Sequence, residues 1–237
     1  MSLSARSVFI QSAVCMALMA ATVYVESFTA LDMEIQRQWY SSVQGRWFID
    51  ASLHREWRWL FYDGMKYAVA ATGAGSVVLF LAGCYLNNAS WRRAGLLMAL
   101  SCAATPLLVA LLKAVTGIYC PRQLLLFGGE EPYRHLLPLE FGILGGRCFP
   151  GGHASGGFAL TMMYFCLSGK YARLSALAAA LCMGWSMGLY QMMRGEHFLS
   201  HTVMSMLLAW QMNLLLVRIA DGTILPWISR RKHGKMP

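Results

Sequence analysis

The chain has 237 residues, of which 57% are hydrophobic and only 13% are charged. Soluble domains carry about a quarter charged residues, so this composition excludes an ordinary water-soluble domain and predicts a membrane protein. The formal net charge of +9 does not indicate a nucleic-acid-binding protein, because the chain has no basic soluble domain that could bind nucleic acid.

Six apolar segments approach the length of about 20 residues that a helix needs to cross a bilayer. A signal peptide is disfavoured for the first, because Arg6 alone is a weak positive region and no good cleavage site follows. Segments 153–167 and 201–217 are short, so we expect their ends to extend or to be covered by protein. The predicted crossings are 7–25, 66–86, 95–116, 153–167, 174–192 and 201–217.

The charges between the crossings predict their orientation. If the amino terminus is inside, the cytoplasmic side carries ten of the twenty Lys and Arg residues and one of the eleven acids. These residues are Arg6 and those in segments 87–94, 169–173 and 218–237. The other basic residues are spread over about twice the length, so the positive-inside rule favours this orientation. We predict an inner-membrane protein with one domain over residues 1–237, an outward periplasmic loop at 117–152, and a basic cytoplasmic tail at 218–237 that contacts anionic lipid.

Aromatic and arginine residues alternate between the first two crossings. Trp39, Trp47, Trp57 and Trp59 are among them. This pattern is typical of helices that lie in the membrane interface, so we predict an interfacial amphipathic segment at 26–65 with one or two helices. An aromatic anchor is favoured there over a lipid entry route.

Cysteines separate into two groups. Five of the seven fall inside predicted crossings, where a thiol is a small apolar group. Only Cys120 and Cys148 fall in a loop, and both fall in the same outward loop. They are a disulfide candidate if that loop faces an oxidising compartment.

Ionisable residues gather at the outer ends of three crossings, at one depth and on one side. Groups of this kind are costly inside a membrane and indicate function. Paired histidines among cations favour an anionic substrate and proton transfer near neutral pH. These residues are Lys113, His153, Arg194, Glu196, His197 and His201.

The stretch "PGGHASGG" begins the fourth predicted crossing with two glycines, Gly151 and Gly152, before His153. The start of a helix offers free backbone N–H groups and the positive end of a dipole, which suit a phosphate. Together with the cations and the second histidine, this indicates phosphoryl transfer through a histidine nucleophile, with another histidine as general acid.

Three motifs in this order resemble those of the type 2 phosphatidic acid phosphatase superfamily: K-x6-R-P, P-S-G-H and S-R-x5-H-x3-D. The first begins at Lys113, with Cys120 in the arginine position and Arg122 after the proline. The second ends at His153, with Gly151 in the serine position.

The third motif departs from the family pattern at two positions. His197 matches its histidine, whereas Gln191 stands at the arginine position and His201 at the aspartate position. Arg194, one helical turn closer to His197, could supply the missing guanidinium.

The resemblance implies a role for each matching residue. It implies that His197 is the nucleophile and His153 the general acid. Phosphate-binding roles are implied for Lys113, Arg122, Arg194, Gly151 and Gly152. The group that orients His197 would be His201 or, alternatively, Glu196. It implies no metal and no cofactor.

The family implies a membrane-embedded enzyme that hydrolyses a phosphate monoester or pyrophosphate of a lipid. Phosphatidic acid, phosphatidylglycerophosphate, undecaprenyl pyrophosphate and lipid A all stay open as substrates. Three alternatives also stay open: a lipid-to-lipid phosphotransferase, a non-catalytic lipid-binding or transport relative, and a metal or haem protein that uses His153, His197 and His201. The surrounding cations disfavour the last of these.

Overall fold

The computed structural model describes residues 4–50, 55–138 and 145–233, with side chains as far as Gly222. Most of these residues are helical, which confirms the all-α prediction. The helices are α1 Ala5–Phe28, α2 Leu31–Arg37, α3 Arg55–Arg58, α4 Met65–Tyr85, α5 Ala89–Thr116, α6 Gly152–Ala159, α7 Met163–Cys166, α8 Lys170–Met193 and α9 Leu199–His233.

Among the described residues, five helical segments are long and apolar enough to cross a membrane: Ala5–Phe28, Glu56–Tyr85, Ala89–Gln123, Lys170–Met193 and Leu199–Gly222. They match five of the six predicted crossings, and the chain is a multi-pass membrane protein. The sixth, predicted at 153–167, consists of α6 and α7 joined by a 3₁₀ turn at Leu160–Met162. This stretch is shorter than a bilayer crossing and is largely buried in protein, so the count of six remains a prediction.

Close helix approach buries α6 between α8 and α9. A Cβ atom on Gly157 of α6 would lie 2.7 Å from the Cα atom of Gly184 in α8, and a Cβ on Gly184 would lie 2.3 Å from Cδ1 of Phe158. Small residues let helices pack closely in lipid, where no hydrophobic effect drives their association. The two glycines therefore allow α6, which begins with the His153 turn, to sit in the middle of the bundle.

Polar side chains join the helices deeper in the bundle. The amide of Asn213 in α9 donates to Thr161 Oγ1 at 2.9 Å, and its Oδ1 lies 2.6 Å from the hydroxyl of Ser101 in α5. All three residues are buried. Because no water competes there, such bonds stabilise the helix packing and hold the α6–α7 segment against both long helices.

The segment predicted to lie in the interface contains more than helices. After α2 it forms an antiparallel hairpin of β1 Tyr40–Ser41 and β2 Arg46–Trp47, and a π-helical stretch at Trp59–Gly64 leads from α3 into α4. Tyr40 and Trp47 pack against Phe127 of the outward loop. The hairpin therefore joins that loop in one outer layer, a contact that the aromatic pattern did not predict.

The predicted loop and tail lie partly outside the described residues. Residues 139–144 of the outward loop and 234–237 of the tail are not described, and the side chains of the basic tail beyond Gly222 are not described either. The described part of the loop contains 3₁₀ turns at Pro121–Gln123 and Leu125–Phe127.

We predict that Gly184→Ala lowers the stability of the protein by about 1–3 kcal/mol, the usual effect of overpacking a close contact. Gly75→Ala in α4 is the matched control, because a Cβ atom there has no neighbour within 4 Å. Thermal unfolding in detergent measures both. Equal melting temperatures for the two variants would show that the α6–α8 contact tolerates a methyl group.

Candidate active site

The two histidines of the second and third motifs lie near each other at the outer end of the bundle. The ring centroids of His153, in the first turn of α6, and His197, in the segment between α8 and α9, are 6.5 Å apart. The ring of Tyr62 packs on His153 with a centroid separation of 4.3 Å. This arrangement brings two imidazoles to one site, as phosphoryl transfer with a histidine nucleophile and a histidine acid requires.

Lys113, near the end of α5, reaches the start of α6. A Cβ atom on Gly152 would lie 3.2 Å from the lysine Nζ, so the absence of a side chain lets the ammonium approach the backbone. We expected the N–H of Gly151 to bind phosphate, but in the structure it donates to the carbonyl of His201 at 2.9 Å. That N–H is therefore already used, and the first turn of α6 from Gly152 onward is the part of the backbone that can meet a phosphate.

The two arginines meet at Glu196. Its Oε1 lies 3.2 Å from Nη1 of Arg122 and 3.8 Å from Nη2 of Arg194. Nη1 of Arg194 also lies 3.5 Å from Oε1 of Gln191, the residue at the motif arginine position. Glu196 thus holds two guanidinium groups close together, and Arg194 reaches the region from which the motif arginine is missing.

A disulfide joins Cys120 to Cys148, with 5.1 Å between their Cα atoms. It connects the Lys113 motif to the segment before Gly151. The Cys148 sulfur also lies 3.3 Å from Nδ1 of His197. Burial lowers the pKa of His197 well below its ordinary value, and the neighbouring His201 and Lys113 lower it further. Both effects favour the neutral form of this imidazole.

His201, at the motif aspartate position, is completely buried one turn into α9. Its ring centroid is 5.7 Å from that of His197. Neither of its ring nitrogens has a hydrogen-bond partner among the described residues. The expected hydrogen bond from His197 to His201 is therefore not formed, and the disulfide sulfur is the group next to Nδ1 of His197.

Residues from distant parts of the chain hold the segment that carries His197. The side-chain amide of Gln36 in α2 donates to the Met192 carbonyl at 2.7 Å. Buried Asp32, also in α2, accepts hydrogen bonds from the backbone N–H of Ser200 at 3.0 Å and from its hydroxyl. Because Ser200 lies in the first turn of α9, Asp32 caps the helix that begins just after His197.

Gly195 makes the turn before His197 possible. Its φ is +71°, and a Cβ atom there would lie 2.3 Å from the ring of Trp47 in β2. Its carbonyl accepts a hydrogen bond from the backbone N–H of Arg122 at 2.8 Å. A side chain at this position would meet both backbone strain and the indole ring.

An apolar cavity of about 590 Å³ opens between α4 and α5 and reaches His153 and Lys113. Lys66 also lines it at the beginning of α4. Small residues form much of its wall: Ala70, Gly73, Ala74, Ala99, Ala103 and Gly156. The cavity therefore combines an apolar interior with two cations and a histidine at one end.

Sequence reasoning missed several residues of the site. Lys66 carries the same signal as Lys113, a cation at the outer end of a crossing, and could have been found in that way. Tyr62, Asp32 and Gln36 gave no signal, because nothing in their spacing relates them to the motifs that they contact.

A comparison with known protein families matches residues 94–224 to the PAP2 superfamily. The matched range includes all three motifs and helices α6 to α8. No curated protein and no solved structure matches the chain.

We predict that five of the seven cysteines react with a thiol reagent when the protein is denatured without reductant, because Cys120 and Cys148 are bonded. Closing a loop of this size removes about 3–4 kcal/mol of unfolded-chain entropy in the simple model. Mass spectrometry counts the labels before and after reduction. Seven labels before reduction would rule out the bond and remove support for an oxidising location of the outward loop.

Proposed function

The chain belongs to the PAP2 superfamily, whose members are phosphatases, and on this premise we propose that it is a membrane lipid phosphatase that acts through a phosphohistidine intermediate. The observation that carries the proposal is the apposition of His153 and His197 beside Lys113, at the end of an apolar cavity. A phosphorylated lipid can place its phosphate between the histidines and its apolar part in that cavity.

The cavity supports an assignment of roles to the two histidines. His153 lines the cavity, so it lies on the side of the lipid, which is the leaving group. Nε2 of neutral His197 would attack phosphorus from the other side, and His153 would donate a proton to the departing lipid oxygen. Neutral His153 would then take a proton from the water that hydrolyses the phosphohistidine. This requires His153 to be protonated when the substrate binds. Burial and the neighbouring Lys113, Lys66 and Arg194 lower the pKa of His153 to about 4, and the negative charge of a bound phosphate acts in the opposite direction.

Cations and backbone would hold the phosphate oxygens. Lys113 reaches the first turn of α6, where Gly152 leaves the backbone open. Arg122 and Arg194 are kept together by Glu196, and a guanidinium can contact two phosphate oxygens at once. Developing negative charge in the transition state would be stabilised by these groups.

His201 has a different proposed role from that of the motif aspartate. It is fully buried behind His197, but makes no hydrogen bond to it. A neutral neighbour stabilises a positive imidazole less than a carboxylate does, so we propose that His201 shapes the pocket behind the nucleophile.

Location follows from the same proposal. We place the protein in the inner membrane, with the site facing the periplasm and the tail in the cytoplasm. The density of positive charge and the Cys120–Cys148 disulfide support this orientation. The substrate would then be a lipid of the outer leaflet, such as phosphatidic acid, phosphatidylglycerophosphate, undecaprenyl pyrophosphate or lipid A.

We predict that His197→Ala and His153→Ala each lower phosphate release by at least about two powers of ten, with the larger loss for His197. The assay uses purified protein and a panel of the four lipids. His135→Ala is the matched control, because His135 lies in the outward loop, where its Nδ1 is 3.0 Å from the carbonyl oxygen of Glu26 and its ring packs on Tyr133. Near-normal turnover by His197→Ala, with the fold intact, would contradict the nucleophile assignment.

The same assay separates the alternatives. Substrate carrying a radioactive phosphate should label wild-type protein with a group that survives base and is lost in acid, as expected of phosphohistidine. Label that passes to a second lipid rather than to water would indicate a phosphotransferase. Lipid binding without any release or labelling would indicate a non-catalytic relative.

We predict that Arg194→Lys is strongly impaired, because one ammonium cannot replace a guanidinium that contacts two oxygens. A Gln191→Arg, Arg194→Ala double variant tests whether an arginine at the motif position can replace Arg194, since Arg194 already contacts Gln191. Higher phosphate release by the double variant than by Arg194→Ala alone would support the view that Arg194 replaces the motif arginine. If Arg194→Ala alone is harmless, Arg194 is only a membrane-surface anchor.

A further inference from the structure

Three groups that can bind a metal converge behind the nucleophile. The Cys148 sulfur and one nitrogen each from His197 and His201 lie within 4.8 Å of one another, and all three residues are buried. In the structure Cys148 is bonded to Cys120, so its sulfur is not a thiolate and is a poor metal ligand.

His201 provides a second and independent observation. Its side chain is completely buried, yet neither of its ring nitrogens has a partner in the described part of the chain. Buried polar atoms in native proteins are almost always hydrogen-bonded or bound to an ion. A buried imidazole without a partner, next to a second imidazole and a sulfur, therefore points to a ligand that binds among them.

We propose that reduction of the Cys120–Cys148 disulfide converts this pocket into a three-ligand site for Zn²⁺, formed by Cys148, His197 and His201. Zn²⁺ binds thiolate at about 2.3 Å and imidazole at about 2.0–2.1 Å. Tetrahedral geometry then separates the donor atoms by about 3.4–3.6 Å. The observed separations are at most 4.8 Å, so they need to contract by no more than about 1.4 Å, a shift that side-chain rotation can provide.

The chemistry of the conversion balances with a water-soluble phosphine as reductant. The phosphine and one water deliver two electrons and two protons to the S–S bond, and the products are two thiols and the phosphine oxide. The Cys148 thiol then loses its proton as the thiolate binds Zn²⁺. A fourth metal position stays open to water.

The metal would switch the proposed enzyme off. Zn²⁺ binding at Nδ1 of His197, the nitrogen beside the Cys148 sulfur, would withdraw electron density from the ring whose Nε2 is the proposed nucleophile, and it would place a divalent charge beside the phosphate site. Phosphoryl transfer would proceed only when the disulfide has formed. This consequence rests on the proposed function, whereas metal binding itself does not.

Two cysteine variants form a matched pair for the test. Cys120→Ser and Cys148→Ser both lack the disulfide, but only Cys120→Ser keeps the Cys148 thiol free. The five other cysteines are the same in both variants. Co²⁺ is the probe, because tetrahedral thiolate coordination produces a near-ultraviolet charge-transfer band and intense visible bands that need no substrate.

We expect Cys120→Ser to bind Co²⁺ with these bands in the absence of reductant, and Zn²⁺ to displace it. Cys148→Ser should show no such bands, and adding His201→Ala to Cys120→Ser should abolish them. Wild-type protein should bind Co²⁺ only after treatment with the phosphine, which tests the idea even if a variant does not fold. Identical spectra for Cys120→Ser and Cys148→Ser, or no bands in reduced wild-type protein, would overturn the proposal.

Activity provides the second readout. Zn²⁺ should inhibit Cys120→Ser, with recovery on chelation, and should leave Cys148→Ser unaffected. If cobalt binds as expected but no variant has phosphatase activity, the metal site stands and the proposed function fails. If the enzyme is active but Cys120→Ser and Cys148→Ser respond equally to Zn²⁺, the inhibitory role of the site is wrong.

Discussion

The segment between α8 and α9 is held by hydrogen bonds from two distant parts of the chain, and the geometry of the site depends on that restraint. Asp32 and Gln36 of α2 bind either end of the segment, and the Arg122 backbone binds Gly195 within it. His197 lies in this short segment, outside any helix, and would otherwise lack a defined position. A reacting group must be held to within a fraction of an ångström, so these remote contacts support any chemistry at His197.

Several cations lie around the site, while His197, the proposed nucleophile, is held in its neutral form. Burial lowers the pKa of His197, and nearby positive charge acts in the same direction. Glu196 offsets part of the repulsion between Arg122 and Arg194. A pocket of this kind can attract an anion without protonating the imidazole that we propose as the nucleophile.

Departures from the family motifs occur together in space. Cys120 stands where the first motif has an arginine, and its partner Cys148 lies next to Nδ1 of His197. One covalent bond thus connects a position at which the usual charged group is missing to the surroundings of His197. His201, at the aspartate position itself, keeps a buried ring without hydrogen-bond partners among the described residues.

The sequence by itself determined the class of fold, the membrane setting, and the family, because hydrophobic length and motif order are properties of the linear chain. Five crossings, the two histidines and Lys113 could all be found in this way. Only the tertiary structure decided that Gly151 donates its N–H to His201, that Asp32 caps α9, and that the outer hairpin packs on Phe127. These contacts join residues far apart in sequence, and short polar or aromatic segments carry no periodicity that specifies their partners. Their geometry follows from how the helices pack, which local sequence does not encode.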